Sequence, residues 1–189
     1  MKKYVLLFAL LLPNFVFAME YLGADLSSWP QNKSRKVVAD FGAWLLVTPD
    51  LDWQQKWDTP PDTIPYFNEA DEVSTGDKLV ILTFFTNPGI NANGASHVKC
   101  TIRAERPDGS ESLPEQYFDC IDGKLLGNPR NVRLSPAVIQ FTAEESDPLG
   151  IWTVYVTLED TYKNAVIELE TTYKHIGQQV TSQEQVSND

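Results

Sequence analysis

Histidine and cysteine are scarce in this chain, with two of each in 189 residues. That scarcity bounds the chemistry. His97 and His175 each stand at the end of an expected strand and read as solvent-facing. A zinc site would have to combine two distant histidines with both cysteines, so no metal is expected. No Gly-x-Ser-x-Gly elbow presents a nucleophile. No glycine-rich loop precedes a helix to cradle a nucleotide, and Asn91-Ala92-Asn93-Gly94 reads as a turn. The Asp-x-Asp-x-Asp-Gly pattern of calcium loops is missing. Asp50 and Asp52 are the nearest carboxylate pair, the arrangement glycosidases use, but such neighbours in a loop or strand more often point to solvent. The expectation is a non-enzyme without cofactor.

Positive charge is the second shortage: 15 Lys and Arg oppose 26 Asp and Glu. Such a surface repels nucleic acid and anionic lipid. Such an acidic balance more often serves solubility than a specific partner, but it would attract a basic protein. The third shortage is long apolar runs. One exists, Tyr4 to Leu12, behind Lys2 and Lys3, and Pro13 and Asn14 break it. A spanning helix needs ~20 apolar residues, whereas a charged start, a short apolar run and Val16-Phe17-Ala18 make the three-part pattern of a secretory signal peptide. Residues 1–18 are therefore expected to be removed on export to the periplasm or the cell exterior. The mature protein would not be membrane-embedded. It would hold 171 residues and, without Lys2 and Lys3, 13 bases against 26 acids.

Cys100 and Cys120 form an even pair in an oxidising compartment, where a disulfide is favoured. Pro107-Asp108-Gly109-Ser110 between them is a turn cluster. A hairpin centred near residue 110 would set the two cysteines opposite each other, ~4.5 Å apart at Cα in a non-hydrogen-bonded pair, within reach of a bridge. No Cys-x-x-Cys spacing suggests a redox role.

What the chain has in quantity is period-two alternation. Val98, Cys100, Ile102 and Ala104 share one face, with Lys99, Thr101, Arg103 and Glu105 on the other. Trp152, Val154, Val156 and Leu158 repeat the pattern, as do Ala165, Ile167 and Leu169. Residues 159–164 read as the hairpin connection between those two strands. Leu79 to Phe85 is nearly all apolar and should be a central strand covered on both sides. Val37 to Val47 is strand-like, and Phe118 to Ile121 completes the cysteine hairpin. Val132 to Leu134 and Val138 to Phe141 read as one strand slipping at Ser135-Pro136, as proline requires at an edge or bulge. About seven strands without a competing long helix predict an all-β fold, an antiparallel β-sandwich.

The run Gly150-Ile151-Trp152-Thr153-Val154-Tyr155-Val156-Thr157-Leu158-Glu159-Asp160 resembles the late strand of immunoglobulin-like domains (fibronectin III or PKD type) of secreted bacterial proteins. Pro107-Asp108-Gly109-Ser110 resembles a hairpin turn common in them. The resemblance covers residues 76–175 and implies an immunoglobulin-like sandwich. It departs from antibody-type domains, because the cysteines join adjacent strands. Fold alone implies little about function here.

Flanking pieces complete the expected organisation: a leader at 19–36, one sandwich domain at 37–176, and a polar, disordered tail at 177–189. Inside the domain, residues 49–73 form a long acidic loop rich in proline and aromatic residues. Asp50 should cap a short helix through Trp57, placing Trp53 and Trp57 on one face. Loops this long are often functional, and Trp and Tyr dominate binding hot spots. Trp53, Trp57, Asp58, Tyr66 and Phe67 are therefore the candidate binding residues, unless the aromatics merely cap the open end of the sandwich. Two classes of function follow. The first is an exported, non-enzymatic interaction protein, such as a toxin-immunity or adaptor protein with a basic protein partner. The alternative is a carbohydrate-binding module stacking sugars on exposed Trp44, Trp53 and Trp57. A pilus subunit and a hydrolase rank below these, since the polar tail departs from the hydrophobic terminal strand of pilus subunits.

Overall fold

Alternation decides which side of each strand goes inward, and two facing sets of inward side chains make the core. The computed structural model describes residues 25–59 and 65–178. The expected signal peptide, Pro60, Pro61 and nearly all of the expected tail lie outside those residues. The described residues form ten strands in two sheets. The first sheet holds β1 (Arg35–Val38), β2 (Phe41–Thr48), β4 (Lys78–Thr86), β7 (Arg133–Leu134) and β8 (Ile139–Thr142). The second runs in the order β3 (Glu72–Val73), β10 (Ala165–His175), β9 (Gly150–Asp160), β5 (Ala95–Glu105) and β6 (Glu111–Lys124). All pairs are antiparallel except the short β3–β10 contact. The molecule is an all-β, immunoglobulin-like sandwich.

The expected inward sets are buried. Val98, Cys100, Ile102, Trp152, Val154, Val156, Leu158, Ala165, Ile167 and Leu169 meet Phe41, Leu45, Leu79, Ile81 and Phe85 of the other sheet in one cluster. Each fully buried large side chain contributes about 1.5–3 kcal/mol relative to exposure. Phe141, Trp152 and Tyr173 close one part of this core, with ring centroids 4.9–6.3 Å apart. Trp152 meets its polar requirement by donating from Nε1 to the Pro148 carbonyl at 3.1 Å. Strand β4 is buried on both faces, as its continuous apolar run requires.

Three expectations about strands are refined. Val37 to Val47 is a hairpin, not one strand: Ala39 and Asp40 adopt φ of 50° and 57° and turn β1 back onto β2. That is the two-residue turn with both central residues left-handed; with no glycine or asparagine in it, the signal is weak. The slipping strand around Ser135-Pro136 is two pieces, β7 and β8, laid along the same edge of β4. The cysteine hairpin turns at Asp108, not residue 110. Gly109 (φ 80°) donates to the Arg106 carbonyl, which makes Pro107 and Asp108 the central residues, and Glu105 pairs with Glu111.

One edge of the sandwich is laced shut. Glu170 of β10 donates to the Lys33 carbonyl at 2.9 Å, and Leu45 of β2 donates to the Ser34 carbonyl at 2.8 Å. Farther along, Ala70 donates to Val47 and Lys174 donates to Asp71. The described part of the expected leader is therefore built into the domain. Its Leu26 is 5% exposed and fills the space that Gly42 leaves open.

Candidate interaction surface

The long loop does not cap an end of the sandwich; it covers the outer face of the first sheet. Trp44, Leu46, Val80, Leu82 and Phe84 point outward from β2 and β4, away from the main core. Trp53, Trp57 and Phe67 fold over them as a second apolar cluster. Phe84 is its hub: its ring centroid lies 5.1 Å from Trp44, 5.4 Å from Trp57 and 5.9 Å from Phe67. The short helix α1 (Trp53–Trp57) brings Trp53 and Trp57 to one side, as the spacing of four predicts.

Asp50 does not cap that helix. Asp52 occupies the capping position, without a side-chain hydrogen bond. Asp50 is instead buried, at 8% exposure. Its carboxylate accepts from the Asn68 backbone N–H at 2.8 Å, from Asn68 Nδ2 at 2.7 Å and from Lys56 Nζ at 2.7 Å. Burial alone would raise its pKa, but the Lys56 ammonium and both Asn68 donors outweigh that and bring it down to about 2. This carboxylate ties the two ends of the loop together.

Of the five candidate binding residues, the fold brings Trp53, Trp57 and Phe67 together, and they are engaged in packing. Tyr66 (76% exposed) and Asp58 stay on the solvent side. None of the five tryptophans is exposed. Arg35 stacks 4.3 Å from the Trp44 centroid.

Among the described residues, none forms such a cover over the outer face of the second sheet. A shallow groove of about 370 Å³ runs across β6, β5 and β9, lined by Lys99, Thr101, Tyr117, Asp119, Thr157 and Glu159. Tyr117 stands 75% exposed at its wall. Its hydroxyl donates to the Glu115 carboxylate, which raises its phenol above the ordinary value. Farther along β5, Arg103 pairs with Glu105 and lies 3.7 Å from the Tyr155 ring centroid, while Tyr155 donates to Glu105 at 3.1 Å. The Arg103 guanidinium holds the Glu105 carboxyl below its usual range. Strand β6 is the sheet's edge. Its acidic side chains, Pro114 and bulges are devices that protect edges from indiscriminate pairing.

Sequence reasoning passed over this surface. Alternation shows which residues face outward, but not which outer face another segment will cover.

One of the two histidines differs from expectation. His175 is 1% exposed and lies 2.9 Å from the Thr75 hydroxyl; it points inward because it continues the inward set of β10. His97 does face outward, where it meets Asp119 at 3.1 Å.

The disulfide is formed, with Cα atoms 5.6 Å apart. The cysteines are not opposite each other, however. Cys100 pairs with Phe118, and Cys120 is the extra residue of a β-bulge, between the Lys99–Asp119 and Val98–Ile121 pairs. Two earlier irregularities also add residues to β6, so the turn at Asp108 and the bridge are compatible.

No protein-family model matches the chain, and no curated protein matches it. Among solved structures, it is similar to a family 123 glycoside hydrolase from Clostridium perfringens: 11% identity, 71% of this chain, 27% of that one, TM-score 0.36. It is also similar to a CARDB domain from Pyrococcus furiosus solved in complex with di-metal ions: 9% identity, 79% of this chain, 100% of that one, TM-score 0.35. An immunoglobulin-like protein from Pseudomonas aeruginosa shares 15% identity over 62% of this chain and 93% of its own, TM-score 0.30. The chain thus spans about a quarter of the glycoside hydrolase. At these values the likenesses carry no argument about function; strand pairing defines the sandwich.

Proposed function

We propose that this is an exported, non-enzymatic interaction protein of the periplasm or cell exterior, of the toxin-immunity or adaptor kind. Its partner is a basic protein docking on the outer face of β6, β5 and β9. One observation carries the reading: this face, left uncovered by the described residues, presents Tyr117 among Glu105, Glu115, Asp119 and Glu159, against Lys99 and Arg103. An exposed tyrosine supplies contact area at low entropy cost. Surrounding carboxylates steer a cationic surface toward it and disfavour acidic competitors.

The alternative of sugar stacking is supported less well, since Trp44, Trp53 and Trp57 spend their ring faces on Phe84, Arg35 and one another's cluster. Motifs for catalysis are missing from the sequence, and the groove is shallow and open.

The test is a parallel capture from native periplasmic and secreted fractions. The bait is mature wild-type protein or a Tyr117→Ala, Glu115→Lys variant of equal thermal stability. The wild type should retain one stoichiometric basic protein, with affinity falling as salt rises, and the variant should bind it at least tenfold more weakly. Equal retention by the two baits, or no stoichiometric partner at all, overturns the proposal.

A further inference from the structure

We propose that the outer face of β5 and β6 carries a divalent transition-metal site made of His97, Asp119 and Asp122. One donor atom from each residue lies within 4.8 Å of the other two. His97 Nε2 and Asp119 Oδ1 are already 3.1 Å apart. Neighbouring ligands on a tetrahedral zinc ion, with bonds of about 2.1 Å, stand roughly 3.4 Å from each other. Closing the remaining gap needs only side-chain rotation, because Asp119 and Asp122 are exposed and His97 is half-buried.

The backbone explains why these three converge. Residues 119 and 122 are three apart, and in a regular strand they would point to opposite faces. The bulge at Cys120 cancels one step of the alternation. Asp119 pairs with Lys99 and Asp122 pairs with His97, so both carboxylates emerge on the outer side. Cys120 turns inward instead and is bonded to Cys100. The disulfide therefore pins the irregularity that assembles the ligands. His97 is held as well: its backbone carbonyl accepts from the Thr161 backbone N–H and from Thr161 Oγ1, both at 3.1 Å.

Donor chemistry selects the ion. One imidazole nitrogen and two carboxylate oxygens suit zinc or manganese better than calcium, which takes six to eight oxygens. Three protein ligands leave a coordination position for water or for a donor from a docked molecule. Lys99, one pair along the same face, lies between Asp119 and Glu159 in register. The site would cross-link β5 to the edge strand β6.

The chain has two histidines, which gives the test an internal control. Chelator-stripped mature protein is titrated with zinc chloride, then with manganese chloride. Binding is followed by calorimetry and, for zinc, by imidazole nitrogen NMR. One zinc should bind per chain. The His97 resonances should shift, and those of buried His175 should not. His97→Ala and Asp122→Asn should each weaken zinc binding at least tenfold while the His175 signals keep their wild-type positions, which reports an intact fold. The proposal is overturned if His97 does not respond to millimolar zinc, or if both variants bind as the wild type does.

Discussion

Replacing Asp50 by asparagine should destabilise the protein by about 2 kcal/mol at neutral pH and by much less in acid. The folded state holds the Asp50 carboxyl near 2, against 3.8 for the free group. A difference of that size corresponds to roughly 2 kcal/mol of stability held by the ionised form. The sign follows from which state binds the proton more tightly. The unfolded chain takes it up first, so the contribution is complete above about pH 4 and is lost as pH falls through 2; roughly half is gone by pH 3. Asparagine cannot attract Lys56, and its amide adds donors where Asn68 and Lys56 already donate. Lys56 keeps 27% of its side chain in solvent, so it can turn to water, which keeps the loss near 2 kcal/mol rather than the 3–5 kcal/mol of a fully buried broken pair. Urea unfolding followed by tryptophan fluorescence is the assay, since Trp53, Trp57 and Trp44 lie in the cluster under the loop. With a slope of about 2 kcal/mol per molar urea, the midpoint should drop by roughly 1 M at pH 7. A cycle with Lys56→Met should show coupling of at least ~1 kcal/mol. A variant within ~0.5 kcal/mol of wild type at pH 7, or a deficit equal at pH 7 and pH 3, would show that the ionised Asp50 does not hold the loop.

Two further outcomes test the scaffold. Replacing Cys100 and Cys120 together by serine should cost about 3 kcal/mol on the loop-entropy model, given a sequence separation of 20; guanidinium unfolding measures it, and hydrogen exchange should show β6 losing protection before β9. Gly42→Val should lower the melting temperature by several degrees, because an added Cβ would lie 2.8 Å from Leu26 Cδ2 and 3.1 Å from Thr86 Cγ2; an unchanged melting curve would show that the segment around Leu26 does not pack there.

Local pattern reached a long way into this molecule. Inward sets on β5, β9 and β10, the doubly covered β4, the break at Ser135-Pro136 and the existence of the disulfide are all written in alternation, turn residues and cysteine count. These properties depend on neighbours within a few positions, and side-chain periodicity reports them directly. Asp50, Tyr117 and His97 belong to the other kind. Which outer face the loop after Thr48 covers depends on where Phe84 presents itself, 36 residues later in the chain. That choice buries Asp50, packs Trp44, Trp53 and Trp57 into one cluster and leaves the Tyr117 face uncovered by the described residues. The convergence of His97 with Asp119 and Asp122 depends on one unpaired residue at Cys120. A bulge inverts the faces of everything beyond it, and its position is set by how β6 registers against β5, a pairing between strands that no single stretch of sequence contains.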